Sequence, residues 1–475
     1  MWTPENPFLY ELEVKTSGDN LTETFGLRSF AFDLSQQRAL LNGKPYFLRG
    51  TNINLYRFFE DSARKDLPWD TVWVRSLFAK MKEMNWNSFR NCIGFPPEFW
   101  YDIADETGFL IQDEYPFWYL FEKTGNITVN QLEQEFSEWM EERWNHPSVV
   151  IWDAQNETKT HHTRLALERV RHKDLSNRPW ENGWDAPGKS TDPVEAHPYF
   201  FFEFWKKPVD DEEIMRKFCQ IPRNPFTVIN EAAHTTERQR LKNPIIINEY
   251  GWLWLNRDGS PTTLTDQIYS SLFSDCKTSD ERFEAYSRHL AMLTEYWRSH
   301  RNVAGVMHFC FLGYSRPNEP RGQTSDHFID LKNLILELHF EKYVKQAFQP
   351  IGVMADYWKK EHRANEIISF PVILINDFDR EISGELVISL KNKEKLISQL
   401  IPFQQRFHHW AELKFPLRLC YLIYRAQLKW KSDLFRKKIH KQAVLGFSGS
   451  INQNEEIDGV LPSYGVLFIK LSSDL

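Results

Sequence analysis

Two strings of the sequence end a short apolar run in a glutamate. Asn145-His-Pro-Ser-Val-Val-Ile-Trp-Asp-Ala-Gln-Asn-Glu157 delivers Asn156 and Glu157 after a Val-Val-Ile-Trp run. Asn243-Pro-Ile-Ile-Ile-Asn-Glu-Tyr-Gly251 repeats the design 92 residues further on (249 − 157), with three isoleucines ahead of Glu249. Short apolar runs bounded by turn formers read as strands buried on both faces, as in a parallel sheet. Two acids carried to the same end of such strands are what glycoside cleavage requires. One protonates the leaving oxygen, and the other attacks or stabilises the oxocarbenium-like centre. Either glutamate alone serves equally well as a helix cap or an ion-pair partner; the two together, each after an apolar run, favour the chemical reading.

The elements that would position them follow from periodicity. From Tyr46 onward short apolar strands alternate with helical patterns, as in parallel β/α units. Strands are predicted at 46–52, 88–92, 109–113, 149–153, 193–197, 245–248 and 303–309, with a weakly marked one at 178–180. Helices are predicted at 68–83, 97–106, 131–144 and 280–297. The run from Tyr46 to Phe311 covers 311 − 46 + 1 = 266 residues, close to the roughly 250 of a (β/α)8 barrel, whose active sites lie at the C-terminal ends of the strands. Ahead of it, 8–14 and 27–32 read as two strands on either side of the turn at Ser17-Gly18-Asp19-Asn20, pairing with the edge of the following domain or ending a sandwich, and Ala39–Tyr46 as a hairpin on Asn42-Gly43. Behind it, 367–375 and 384–390 read as a hairpin through Asn376-Asp377, and 404–441 is basic and irregular, more in keeping with a solvated face than with a polyanion site.

Composition narrows the function classes. Lys plus Arg number 58 and Asp plus Glu 65, a net charge of −7, which offers no basic field for a phosphate backbone, so no nucleic-acid partner is expected. No run approaches the roughly 20 apolar residues of a membrane span. The five cysteines are scattered without a CxxC, which argues against a disulfide framework or a zinc knuckle. Met1–Asn6 lacks the basic-then-apolar pattern of a signal peptide; the compartment is left open.

The ordered set Trp2-Thr-Pro-Glu-Asn-Pro-Phe-Leu-Tyr10, Phe25-Gly-Leu-Arg28, Leu41-Asn-Gly-Lys-Pro45, Leu48-Arg-Gly-Thr-Asn52, Asn85-Trp-Asn-Ser-Phe-Arg90, Tyr101-Asp-Ile-Ala-Asp-Glu-Thr-Gly108, Asn156-Glu157 and Glu249-Tyr-Gly251 resembles glycoside hydrolase family 2, the β-galactosidase, β-glucuronidase and β-mannosidase group. The resemblance implies Glu157 as general acid/base and Glu249 as nucleophile of a retaining double displacement, with carboxyls about 5–5.5 Å apart. It also implies Arg90 beside the nucleophile, Asn156 on the sugar 2-hydroxyl, and His197-Pro-Tyr199 as the segment whose tyrosine reaches the nucleophile; a core or rim role fits Tyr199 as well. Asn52, Asn54, Asp113, Glu114, Trp252 and His308, at strand ends, complete the expected substrate-binding set. For Asp113 and Glu114, pocket hydrogen bonding or helix capping outranks metal binding. No metal and no cofactor are expected.

The resemblance implies an α/β fold: a (β/α)8 TIM barrel at 34–318, preceded at 1–33 by the last strands of an immunoglobulin-like β-sandwich. A transition at 319–349 leads to a β-rich, sandwich-like domain at 350–475, within which 404–475 carries no clear folding signal. The open sheet edge near the N-terminus would be covered by preceding domains or by a second copy in a homo-oligomer. Departures fall in the sugar pocket. Asn54 stands where the family often has histidine, Asn91-Cys-Ile-Gly-Phe-Pro96 replaces a His-Tyr-Pro, His308-Phe-Cys-Phe311 replaces the strand-eight tryptophan, and the Asn-x-Lys of β-glucuronidases is missing. The expected function is a retaining exo-β-glycosidase acting on a carbohydrate. The alternatives are a carbohydrate-binding or impaired relative, and a metal-dependent barrel hydrolase using His161-His162 and Asp113.

Overall fold

The structure, a computed structural model, describes residues 1–120, 125–199, 201, 243–300, 303–319, 323–355, 372–378 and 380–382, and the backbone of 383–391, 396–405, 411–413, 446–448, 458–461 and 465–471. The chain forms two compact units. One comprises Met1–Trp205, Asn224–Asp266 and Asn302–Glu337; the other comprises Lys206–Arg223, Gln267–Arg301 and Leu338–Leu475.

The first unit begins with a hairpin, β1 (Tyr10–Lys15) and β2 (Asn20–Phe25), followed by a meander, β3 (Phe30–Asp33), β4 (Arg38–Leu41) and β5 (Lys44–Tyr46). Eight strands then build one parallel sheet: β6 (Leu48–Ile53), β7 (Ser88–Asn91), β8 (Leu110–Glu114), β9 (Val149–Asp153), β10 (Trp180–Glu181), β11 (Val194–Ala196), β12 (Ile245–Ile247) and β13 (Val303–Leu312). Their order, β10-β9-β8-β7-β6-β13-β12-β11, is that of a nearly closed TIM-type barrel. Between β10 and β11 side chains take over from the ladder: Glu195 N donates to Glu181 Oε1 at 3.3 Å and Trp180 N to Asp192 Oδ1 at 3.1 Å. The strands are buried along their lengths, which is why they read as continuous apolar runs rather than as alternation. Gly50 of β6 is required by close approach, since a Cβ there would meet the Ser88 carbonyl oxygen of β7 at 2.1 Å.

Helices α1 (Leu55–Phe58), α2 (Thr71–Glu83), α3 (Phe99–Thr107), α4 (Val129–Arg143) and α5 (His161–Val170) lie between these strands. Several of these helix starts are capped in sequence: Asp70 accepts from Val72 N and Trp73 N, and Thr128 with Gln131 forms a capping box, contacts that satisfy otherwise orphaned first-turn donors. The aromatic stock is spent between layers; Trp139 meets Trp152 edge-on with centroids 5.0 Å apart, and Trp180 at 5.8 Å.

The meander closes the N-terminal mouth of the barrel. Trp2, Phe30, Phe32, Ala39 and Leu41 pack with Leu48, Leu110, Val150, Ile151, Ile246, Ala304 and Met307 in one buried cluster. Trp2 is fully buried and its Nε1 donates to Asp105 O at 2.8 Å. Only the opposite mouth, at the strand C-terminal ends, is left for a site.

One strand was missed and one predicted pairing is corrected. Strand β1 pairs with 20–25, which was not predicted as a strand: Tyr10 faces Phe25 and Lys15 faces Asn20, because the turn closes as soon as the Thr16 hydroxyl accepts from Asp19 N at 3.1 Å. Residues 30–33 pair with β4, across from the Asn42-Gly43 hairpin, both of whose residues take positive φ, 53° and 78°. In the second unit, Val372–Asn376 pairs with Ile351–Ala355 and Ala411–Leu413, whereas Ile382–Lys391 pairs with Leu396–Gln405 and Gly465–Leu471. The expected hairpin of 367–375 with 384–390 is therefore absent; the two strands enter a three-stranded and a five-stranded sheet. Residues 367–371 and most of the basic stretch 404–441 lie outside the described residues. In the same unit, the predicted helix 280–297 is observed as Ser279–Ser299 and packs along Leu338–Ala347.

Candidate active site

Strand period two decides which side chains enter the barrel. On β7, Arg90 points inward while Asn91 turns to Tyr101 and Asp113. Fully buried Arg90 forms the centre of a polar floor. Its Nε donates to Asp153 Oδ2 at 3.0 Å, one terminal nitrogen to Glu249 Oε1 at 2.8 Å and Asn52 Oδ1 at 3.2 Å, and the other to Asn156 Oδ1 at 3.0 Å, Glu195 Oε2 at 3.2 Å and the Glu114 carboxylate. A guanidinium offers five donors in a fixed plane, so one residue ties β6, β8, β9, β11 and β12 together at one level.

Above this floor stand the two predicted acids. Glu157 follows β9 through Asn156, whose N donates to Phe117 O at 2.9 Å. It holds φ 42°, in the left-handed region, a conformation that costs a non-glycine residue energy and recurs at functional sites. Its Oε1 contacts His197 Nδ1 at 2.9 Å and its Oε2 accepts from Trp118 Nε1 at 3.3 Å. Glu249 follows β12; besides Arg90 it accepts from the Tyr199 hydroxyl, and Cys92 Sγ lies 3.8 Å from its Oε1. Oxygens of Glu157 and Glu249 and a nitrogen of His197 all lie within 4.8 Å of one another.

His197 joins the two levels. Its Nε2 meets Glu195 Oε2 at 2.9 Å, and the same nitrogen is 3.7 Å from Glu249 Oε1. Burial by itself would lower the pKa of the ring, but the Glu195 and Glu249 charges and the bonds to Glu157 and Glu195 outweigh it and hold it well above the usual histidine range. With both nitrogens on carboxylate oxygens it is an imidazolium donating to each. Glu195, against burial, is drawn down to about 2 by His197 and Arg90. Glu157 is raised, by burial first and then by the Glu249 charge, against the pull of His197. Burial likewise raises Asp153, Glu114 and Glu181, the last also through repulsion by Asp153 and Glu195. Six carboxyls around Arg90 and His197 cannot all ionise in a low dielectric: Glu195, between both cations, stays ionised, whereas burial and mutual repulsion raise Glu114 and Asp153 even though both touch Arg90. Asp153, Glu181 and Glu195 also offer oxygens within 4.8 Å of one another; a cation there, or among Glu157, His197 and Glu249, would replace the protons that now balance the charge.

The remaining predicted residues divide. Asn52 is in the floor, with its amide also donating to Asn248 O and to His308 O. Glu114 is in the floor too, and accepts from Ile93 N at 2.6 Å. Asn54 caps α1 by accepting from Arg57 N at 3.2 Å. Trp252 meets Tyr199 edge-on at 5.0 Å, with φ 81°. Two are corrected. Asp113 precedes Glu114 and so points to the other side of the sheet, where it accepts from Asn91, Tyr101 and Trp139. His308 pairs in register with Thr51, not Asn52; it is fully buried, contacts Thr51 Oγ1 at 2.7 Å and His327 at 3.1 Å, and stacks on Trp86. His161 and His162, at the start of α5, meet edge to face, and Asp113 takes neither as a partner.

Sequence reasoning missed Glu195, Asp153 and Glu181. Glu195 was within reach: on a strand over 193–197 it shares a face with His197. Asp153 and Glu181 gave no such signal, since both sit at strand ends whose inward register only the barrel fixes.

The model of glycosyl hydrolases family 2, TIM barrel domain, matches residues 32–277. A putative β-glucuronidase of Formosa agariphila is 30% identical over 181 residues, 36% of this chain and 16% of that protein. A β-galactosidase of Lactococcus lactis is 29% identical over 214 residues, 41% and 20%, and the rat β-glucuronidase 28% over 169 residues, 33% and 25%. The match therefore spans a quarter or less of these relatives' lengths. Among solved structures, the β-glucuronidase of Bifidobacterium dentium complexed with coumarin-3-O-glucuronide superposes with TM-score 0.53 at 17% identity, covering 73% of this chain and 55% of that one. That of Ruminococcus gnavus in complex with uronic isofagomine gives 0.53 at 20%, covering 74% and 59%. The likeness to both is one of fold.

Proposed function

Because the chain belongs to glycoside hydrolase family 2, we propose that it is a retaining exo-β-glycosidase, with Glu249 as nucleophile and Glu157 as general acid/base. The observation that carries this reading is the approach of the two carboxylates within 4.8 Å. An oxygen of each that close to an oxygen of the other is consistent with a carboxylate placed to attack the anomeric carbon itself, as in retaining enzymes.

Their surroundings supply the asymmetry that the reaction needs. Glu249 accepts from the Arg90 guanidinium and the Tyr199 hydroxyl, two donors that fix the direction of its carboxylate. Glu157, raised by burial, keeps a proton to give. In the first step Glu249 Oε bonds to C1, the glycosidic C–O bond breaks, and Glu157 passes its proton to the departing oxygen. In the second, ionised Glu157 takes a proton from water as its oxygen attacks C1 and the ester to Glu249 opens. Asn156 spends its carbonyl oxygen on Arg90, leaving its amide hydrogens to meet a sugar hydroxyl. Terminal β-linked sugars of oligosaccharides or glycans are the substrates this reading proposes.

Glu249→Gln and Glu157→Gln should each reduce hydrolysis of aryl β-glycosides by several orders of magnitude; near-parental activity of either variant rejects the assignment. The second reading is a carbohydrate-binding or impaired relative, favoured by Asn54 and by the changed segment Asn91-Cys-Ile-Gly-Phe-Pro96. It predicts oligosaccharide binding with no turnover across a panel of aryl glycosides.

A further inference from the structure

We propose that Arg57 is a specificity residue that receives an anionic substituent, a carboxylate or sulfate, on the sugar bound at the barrel mouth; this rests on the glycosidase reading above. Arg57 lies on α1, directly after β6, and its guanidinium carbon stands 5.5, 5.8 and 5.7 Å from the ring centroids of Tyr56, Trp118 and Tyr314. Trp118 is the residue whose Nε1 contacts Glu157 at 3.3 Å, so the cation is one indole away from the proposed acid.

Its neighbours show what is unusual about it. Arg257 is paired with Asp61 at 2.6 Å and with Asp326, and Arg316 with Glu60 at 3.3 Å. Among the described residues no carboxylate lies within ion-pair distance of the Arg57 guanidinium, which is only half-buried. Aromatic faces fix a guanidinium in place and the Tyr314 side chain takes one of its N–H groups, which leaves the rest of the in-plane fork to bind planar or tetrahedral oxyanions. The floor beneath is rich in carboxylates (Glu114, Asp153, Glu195, Glu249), so an acidic sugar can be retained there only with a cation at the mouth. A neutral sugar has no use for one.

The test compares the 475-residue chain with Arg57→Gln and Arg57→Lys on three aryl β-glycosides that differ at C6: carboxylate, sulfate ester and free hydroxyl. In the parent, kcat/KM is expected to be higher for an anionic member than for the neutral one, and the anionic-to-neutral ratio should fall roughly 10–100-fold in Arg57→Gln and by less in Arg57→Lys, which retains charge without the fork. The carboxylate and sulfate arms show which anion is the natural one. An unchanged ratio in a folded Arg57→Gln overturns the proposal, as does a parent that prefers the neutral glycoside. If no glycoside is turned over, the glycosidase reading fails. Quenching of tryptophan fluorescence by the same three compounds then decides on Arg57: selective binding of an anionic member, lost in Arg57→Gln, upholds its role, and its absence refutes it.

Discussion

Replacing His197 by glutamine removes the one cation that touches Glu157 among the described residues while leaving an uncharged amide as donor. In the native site the imidazolium donates to Glu157 Oε1 at 2.9 Å, favouring the carboxylate form of the acid. A hydrogen bond from a charged donor contributes about 1.5–3 kcal/mol, and one pKa unit corresponds to 1.36 kcal/mol. Losing the charge should therefore raise Glu157 by roughly 1–2 units. The acid must be protonated to assist departure, so the alkaline limb of kcat/KM should move upward by that amount. Glu195 retains Arg90 at 3.2 Å, which keeps the floor assembled. The assay is a pH profile between 4 and 10 on an aryl β-glycoside with a poor leaving group, beside one with a strongly activated leaving group, for which the limb should hardly register. A limb that stays put or moves toward acid refutes the link between His197 and the acid/base.

Arg90→Met should cost about 3–5 kcal/mol in urea unfolding, because it strands the Glu114, Asp153, Glu195 and Glu249 carboxyls without their cation; a loss below about 1 kcal/mol would show that the floor neutralises itself by protonation alone. Away from the site, His146 bonds Asp105 at 2.7 Å and Glu98 at 3.0 Å. Burial opposes its charge, but these two carboxylates raise it from 6.5 to about 9. A folded-state pKa above the unfolded value stabilises fully below about pH 6.5 and loses that contribution as pH rises through 9. With Glu98 half exposed, His146→Gln is expected to lose about 1–2 kcal/mol at pH 6 and much less at pH 9.5; equal losses at both values would contradict the ion pairs.

Much of the barrel was legible because its strands are buried on both faces. Val149–Asp153 shows in the sequence as it stands in the structure, and Ile245–Ile247 could hardly be anything else. The fifth strand was faint because only Trp180-Glu181 pairs, too short to establish a period. Pairing partners were less legible than strands. The meander partner of 30–33 and the separate sheets of Val372–Asn376 and Ile382–Lys391 depend on turn closure and long-range ladders that local patterns do not encode. In the site, Glu157, Glu249, Arg90, His197 and Tyr199 come together where the two apolar strings and the family motifs placed them. Asp113 and His308 failed for one reason: each neighbours an inward residue, and a one-residue step along a strand reverses the face. The charge balance of the floor, with Glu195 ionised between Arg90 and His197, appears only when five strands meet.

The measurement that bears most directly on the central claim is covalent trapping. The chain, incubated with an activated 2-deoxy-2-fluoro β-glycoside of the sugar it hydrolyses, then digested and analysed by mass spectrometry, should carry one fluoroglycosyl group on the peptide containing Glu249. Label on another residue, or steady turnover of the parent sugar with no ester ever trapped, would contradict the account.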